Sequence, residues 1–333
     1  MARIILDAMG GDHAPRAACE GAVLALREDP GLTLLLMGDL DVIRPMVEGA
    51  QDVSGRLELH SAKELITNHE SAAMAVRQKK DSALVKGMLM VREGGADGFV
   101  SAGSTGAVLV GGMLRLGRVP GIERPALAPL IPGEKGQWLL IDCGANIDCK
   151  PEYLAQFGLM GDAYMRKALG VPKPRVGLVN NGAEEEKGSL LYAAAHQLLK
   201  KEPIHFIGNV EARDIPADKA DVIVCDGFDG NIILKYTEGV SAAMMAIIKR
   251  ELTADLRSKI GALLARPAFR RVKKRMDYTE VGGAPLLGVR GAVVKAHGSS
   301  NAKAFASALR QAARMADSGV AQAIEESIGL QTL

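Results

Sequence analysis

The chain has 333 residues, 48% of them hydrophobic but only 4% aromatic, with 38 glycines and a formal charge of +2. That apolar content supplies a large globular core, and the near-balance of charge excludes a whole-surface nucleic-acid binder. The four cysteines lack C-x-x-C spacing and no apolar run nears the ~18 residues of a spanning helix, so neither a zinc or disulfide framework nor a membrane span is expected.

In chain order, short apolar runs predict strands at Arg3–Leu6, Leu32–Met37, Gly98–Ser101, Trp138–Ile141, Val176–Val179, His205–Gly208 and Val222–Cys225. Between them, helical patterns cover Arg16–Glu28, Asp81–Glu93, Thr105–Leu116, Leu154–Ala168 and Ser189–Lys201. The alternation predicts an α/β fold: a Rossmann-like three-layer sandwich with a largely parallel sheet. No linker or repeat divides the chain, so residues 1–333 read as a single catalytic domain. Its oddest part is Thr237–Glu280, helix-compatible, with Met244, Ile248, Leu252, Leu256, Ile260 and Leu264 four residues apart. Four-residue spacing drifts about 40° per step on a helix of 3.6 residues per turn, giving a broad winding stripe rather than a coiled-coil seam. The segment runs into the basic stretch Arg266-Pro-Ala-Phe-Arg-Arg-Val-Lys-Lys-Arg275 and is expected to project from the sandwich. Ile4-Ile5-Leu6 yields at once to Asp7, too short for a secretory signal, which together with unpaired cysteines predicts a cytoplasmic protein.

Six polar turns, most of them glycine-rich, each lie at or near the end of a short apolar run: Asp7–Asp12, Ser101–Gly106, Asp142–Asn146, Asn180–Gly188, Asp226–Asn231 and His297–Asn301. Open α/β sheets bind ligands beyond the carboxyl ends of their strands, so the six outline an active-site rim. Asp7, Gly10, Gly11 and Asp12 offer a sharp backbone path beside two carboxylates. Ser101, Gly103, Ser104 and Thr105 combine close backbone approach with hydroxyl donors suited to phosphate, or else form a helix cap. Asn146, Asn181 and Gly182 add amides and a further close approach to the same substrate- and phosphate-binding set. Lys187 is the cation available to an anionic substrate or a developing oxyanion, and its setting equally fits a solvated first helical turn. Asp229, Asn231 and His297 supply a carboxylate, an amide and an imidazole for proton handling; an Asx turn is the competing reading of the first two. Neither G-x-G-x-x-G nor G-x-x-x-x-G-K-[ST] occurs, the acidic residues have no ligand spacing for a metal, and no cofactor is expected. An acyl-cysteine on Cys143 or Cys149 lacks any identifiable base.

The wording and order of these turns resemble the bacterial phosphate acyltransferases of phospholipid synthesis, the PlsX family. The resemblance rests on Ile5-Leu-Asp-Ala-Met-Gly-Gly-Asp-His-Ala-Pro15, Ser101-Ala-Gly-Ser-Thr-Gly-Ala107, Ile141-Asp-Cys-Gly-Ala-Asn146, Asn180-Asn-Gly-Ala-Glu-Glu-Glu-Lys-Gly188 and Cys225-Asp-Gly-Phe-Asp-Gly-Asn231, and it spans nearly the whole chain. It implies transfer of an acyl group from acyl carrier protein to inorganic phosphate, giving acyl phosphate for a glycerol-3-phosphate acyltransferase. It also implies a homodimer, a fold related to phosphotransacetylases and isocitrate dehydrogenases, and peripheral contact with the inner face of the membrane. Leu263, Leu264, Arg266, Phe269, Arg270, Arg271, Lys273, Lys274 and Arg275 are the residues expected to meet an acidic carrier protein or an anionic bilayer. The competing readings are a phosphotransacetylase acting on acyl-coenzyme A, a dehydrogenase of related fold, and a non-catalytic membrane-surface scaffold that recruits acyl carrier protein.

Overall fold

A computed structural model of the protein describes residues 2–276 and 282–329, with side chains in the last helical turn before the gap described only through Val272. Its strands divide into two sheets. The first builds on β1 (Arg3–Asp7), β2 (Thr33–Gly38) and β4 (Gly98–Ser101), whose inner residues are almost entirely buried. Such continuous apolar runs suit central parallel strands covered on both faces. To one side lies β3 (Leu57–Ser61); to the other come β12 (Ala292–Ala296), β11 (Gly283–Leu287) and β5 (Ala126–Leu127), giving the order β3-β2-β1-β4-β12-β11-β5. All pairs from β3 through β12 are parallel; β11 and β5 close the edge antiparallel.

The second sheet has the order β6-β7-β10-β8-β9, formed by β6 (Leu130–Pro132), β7 (Gln137–Ile141), β8 (Arg175–Asn180), β9 (His205–Glu211) and β10 (Val222–Val224). Only β6 is antiparallel. The chain crosses from one sheet to the other between β5 and β6, and one buried hydrophobic cluster runs from Ala2 to Ile328. The expectation of an α/β fold with mostly parallel strands holds, with the strands shared between two sheets.

Strands β3, β5, β6, β11 and β12 escape the apolar-run reading for physical reasons. Strand β3 is an edge strand with polar residues on its open face, β5 and β6 are very short, β11 contains Gly283 and Pro285, and β12 carries a lysine. The layers are completed by α1 (Arg16–Glu28), α2 (Leu40–Val47), α3 (Ala72–Gln78), α4 (Ala83–Arg92), α5 (Thr105–Gly111), α6 (Pro151–Leu169) and α7 (Leu190–Leu199). Helix α5 runs on as a wider turn through Leu116, closed by a bond from Gly117 N–H to the Gly112 carbonyl. The predicted projecting helix begins earlier than its apolar stripe suggests. Asp226 caps the first turn by accepting from Asp229 N–H, so α8 runs over Gly227–Leu252, about 39 Å at 1.5 Å per residue. It turns into α9 (Leu256–Met276), and the pair leaves Tyr236, Val240, Met244, Leu256, Ile260 and Leu263 exposed. Residues 277–280 of the predicted segment lie outside the described residues. Helices α10 (Ala302–Asp317) and α11 (Val320–Gly329) complete the chain, α10 lying against α1 and α11 against α6.

Candidate active site

In the first sheet the chain proceeds from β1 outward through β2 to β3, then returns to the other side of β1 as β4 and later β12. The strand order reverses between β1 and β4, which opens a crevice beyond their carboxyl ends. Asp7 ends β1 and Ser101 ends β4; both are buried, and Ser101 Oγ donates to the Asp7 carboxylate at 2.7 Å. The Met9 N–H also donates to Asp7 and the Gly103 N–H to Ser101 Oγ, each at 3.0 Å. Burial pushes the Asp7 carboxyl above its usual range, while these donors pull the other way. Gly10 explains how two turns come so close: a Cβ there would lie 2.6 Å from the Gly103 nitrogen and 2.9 Å from Asp7 Oδ2. Asp12 N–H donates to the Gly298 carbonyl at 2.8 Å, which joins the first turn to the His297 loop that follows β12.

The second sheet contributes its strand ends through a different set of bonds. Asp142, just beyond β7, is fully buried and accepts from the backbone N–H groups of Leu127, Cys143 and Asn146 at 2.8, 2.7 and 2.6 Å. Burial pushes its carboxyl up to about 6, against those donors. Because Leu127 belongs to β5, Asp142 ties the two sheets together at the point where the chain crosses. Gly230 lets α8 start against this knot, since a Cβ would clash with the Asp142 carbonyl oxygen. In the first turn of α8, the Asp229 carboxylate accepts from Tyr192 Oη at 2.6 Å, and that phenol oxygen accepts from Asp226 N–H at 3.2 Å. Burial raises the Tyr192 phenol, so it stays a donor at neutral pH. Tyr192 stands on α7, directly after the loop that carries Lys187, and the Asn180 amide pins that loop through the Lys187 carbonyl at 3.0 Å.

Between the two sets of strand ends lies a cavity of about 430 Å³. Its wall includes Thr105 from the start of α5, Lys295 and His297 from the end of β12, Cys143 and Gly144 after β7, and Asn231 and Lys235 on α8. Another cavity, of about 330 Å³, sits at the opposite ends of β4 and β12 beside Asp97 and Arg290, away from the six predicted turns.

The predicted residues therefore fall into four groups. Thr105, Asn231 and His297 share the cavity wall. Asp7, Gly10, Gly11, Ser101 and Gly103 form the packed floor of the adjoining crevice, with Asp12 exposed beside it and Ser104 engaged as the cap of α5 through Ala107 N–H. Asn181, Gly182 and Lys187 sit on the outer loop after β8, with Asn181 and Lys187 exposed, and Asp229 joins that side through Tyr192. The Asn146 amide bonds to the Pro125 carbonyl and the Asp142 carboxylate, at 2.8 and 3.0 Å, and so helps hold the sheets together. Of the predicted contact surface, Leu263, Leu264, Arg266, Arg270 and Arg271 are exposed on α9 and Phe269 is half-buried; the side chains of Lys273, Lys274 and Arg275 lie outside the described residues.

The sequence model of the family described as "Fatty acid synthesis protein" matches residues 2–323. The chain belongs to this family. Relatives named phosphate acyltransferase include those of Clostridium botulinum (strain Loch Maree / Type A3), 46% identical, and Alkaliphilus oremlandii (strain OhILAs), 48% identical. Each alignment covers 98% of this chain and 97% of the relative. In fold the protein is similar to the EutD phosphotransacetylase of Staphylococcus aureus, with a TM-score of 0.61, 18% identity and coverage of 95% of this chain and 94% of that one. A phosphotransacetylase from Streptococcus pyogenes gives 0.60 at 17% identity, with the same coverage.

The cavity wall also carries a buried charged residue from outside all six predicted turns. Lys295 is 9% exposed, the fourth residue of the otherwise apolar strand Ala292-Val-Val-Lys-Ala296. Its sequence signal is its place: a lysine inside an apolar run, two residues before His297. The cavity's thiol tells against covalent catalysis, since burial pushes Cys143 up to about 12 and keeps it protonated at neutral pH. Among the described residues no group of His, Cys, Asp and Glu side chains is arranged to hold a metal ion.

Proposed function

We propose that the protein transfers a fatty acyl group from acyl carrier protein to inorganic phosphate, releasing acyl phosphate and the carrier thiol for phospholipid synthesis. The observation that carries this reading is the convergence of strand ends from both sheets on one cavity lined by Thr105, Asn231, His297 and Lys295, in a chain of the family reported above. A phosphate oxygen forms the new bond to the thioester carbonyl carbon, the C–S bond breaks, and the thiolate leaves with the electron pair and takes up a proton. Phosphate is already a nucleophile and the pantetheine thiol a good leaving group, so positioning and charge neutralisation supply most of the catalysis.

In this account the crevice floored by Asp7, Gly10, Gly11, Ser101 and Gly103, with Asp12 exposed beside it, receives phosphate with the help of Thr105. The loop with Asn181, Gly182 and Lys187 meets the thioester, where Lys187 stabilises the carbonyl oxygen as it gains charge. Asp229, Asn231 and His297 orient the nucleophile and return a proton to the departing thiol. Tyr192, which donates to Asp229, positions that carboxylate. No cofactor takes part.

The whole chain acts as one catalytic unit, a reading supported by the continuous core. It works as a homodimer at the cytoplasmic face of the membrane, supplying a glycerol-3-phosphate acyltransferase. The exposed Leu263 and Leu264, 66% and 79% accessible, stand beside Arg266, Arg270 and Arg271 on α9, an arrangement that suits insertion of leucines between anionic headgroups. Flotation with anionic vesicles is expected to carry the protein, and Leu263→Glu with Leu264→Glu to abolish that without slowing turnover in solution. Unchanged flotation would remove α9 as the contact.

The test of the activity mixes purified protein, palmitoyl-acyl carrier protein and phosphate, following acyl phosphate by mass spectrometry beside free carrier thiol. Equal, phosphate-dependent yields of the two products are expected. Turnover with acyl-coenzyme A in preference to the carrier would turn the assignment to a phosphotransacetylase; binding of the carrier without turnover would turn it to a scaffold.

A further inference from the structure

Lys295 has an unusual setting for a lysine. It projects from β12, the neighbour of β4, and is buried apart from its place on the cavity wall. Its Nζ donates to two main-chain carbonyls, that of Ala102 at 3.4 Å and that of Ala296. No carboxylate among the described residues forms an ion pair with it; the fields of Asp12 and Asp7 reach it without contact. An ammonium has three N–H donors, so these bonds leave one for a ligand. A buried charge without an ion partner costs stability, and a fold keeps one where a bound anion repays that cost.

We infer that Lys295 is the cation that binds the phosphate nucleophile, standing at the inner wall of the cavity while Lys187 serves the outer rim. The inference rests on the phosphate acyltransferase reading and assigns that site a residue outside its predicted set. The carbonyls of Ala102 and Ala296 fix the ammonium between the ends of β4 and β12, next to the crevice where Asp7 and Ser101 are locked together. In that position its attraction for a dianion is far less screened than that of an exposed lysine.

Desolvation lowers the Lys295 ammonium to about 8, with Asp12 and Asp7 opposing the shift. Phosphate binding should then weaken as pH rises through about 8 and the cation is lost, a range in which phosphate is already a dianion. Asp7, Asp12, Glu238, Lys235, His297 and Cys143 are the other charged or titratable groups around the ammonium and its cavity. All are retained in Lys295→Arg, whose guanidinium keeps its proton throughout, so comparing the two proteins isolates Lys295.

The experiment is calorimetric titration with inorganic phosphate, without acyl donor, on the full-length wild type, Lys295→Met, Lys295→Arg and Lys187→Ala, alongside the acyl phosphate assay. The expected result is binding by wild type, roughly 10- to 100-fold weaker binding by Lys295→Met as befits loss of a hydrogen bond to a charged group, and near-normal binding by Lys187→Ala. In turnover, Lys295→Met should raise the KM for phosphate by a similar factor, and Lys295→Arg should lose the decline in binding above pH 8. A folded Lys295→Met that binds phosphate as wild type does would overturn the inference while wild-type acyl phosphate formation left the activity standing. A decline with pH that persists unchanged in Lys295→Arg would overturn it as well. A wild type that neither binds phosphate nor forms acyl phosphate would overturn both readings.

Discussion

Two of the strand-end turns are written in similar residues and built in opposite ways. At the ends of β1 and β4, Asp7 and Ser101 are buried, hydrogen-bonded to each other and packed so tightly that Gly10 has no room for a Cβ. After β8, the loop with Asn181 and Lys187 is exposed and is held by main-chain and amide bonds such as that of Asn180. The difference follows from position in the sheet. Strands β1 and β4 are interior neighbours at the reversal of strand order, whereas β8 lies next to the edge strand β9. In the proposed reaction a rigid floor would suit the small phosphate and an adaptable lip the large acyl donor. The cost of rigidity appears as close contacts, that of adaptability as solvent screening of Lys187.

Gly10→Ala should break this contrast most severely. A methyl group 2.6 Å from the Gly103 nitrogen forces the two turns apart, costing about 1–3 kcal/mol of stability and, through displacement of about 1 Å, on the order of 100-fold in kcat/KM for phosphate. Chemical denaturation and steady-state kinetics would check the two effects separately. Lys187→Ala should act on the outer rim alone: kcat falls by roughly 10- to 100-fold while stability shifts by less than about 0.5 kcal/mol. Turnover within a few-fold of wild type would remove Lys187 from the chemistry.

The smallest effect sharpens the comparison from the side of stability. Because the native Lys295 ammonium lies at about 8 and an unfolded lysine titrates near its ordinary 10.5, the native state holds fewer protons between those values. Wild-type stability therefore gains with rising pH across that window from this group. Lys295→Met should be the more stable protein by on the order of 1–2 kcal/mol below pH 8, with the advantage shrinking toward pH 10.5. Denaturant midpoints across pH would test the sign.

Much of this was legible in the sequence, and the exceptions have physical causes. Strand β4 appears at the bounds its apolar run predicts, and Arg16–Glu28 is α1 to the residue. Thr105, Asn231 and His297, separated widely in the chain, do meet at one cavity. Periodicity could not reveal β3 or β12, since an edge strand needs only one apolar face and a site strand can carry a buried lysine. Motif wording could not separate Asp7, packed in the crevice floor, from Asp229, held at the helix start by Tyr192. Nor could it show that Asp142 and Asn146 spend their polar atoms joining two sheets, because a carboxylate after a strand looks the same whether it faces ligand or Leu127 N–H.

The central claim is direct transfer of the acyl group to phosphate across this cleft, and rapid mixing of acylated carrier protein with a stoichiometric amount of enzyme tests it best. Thiol release should require phosphate and match acyl phosphate in both rate and yield. A burst of thiol without phosphate, leaving the acyl group attached to the protein, would contradict it.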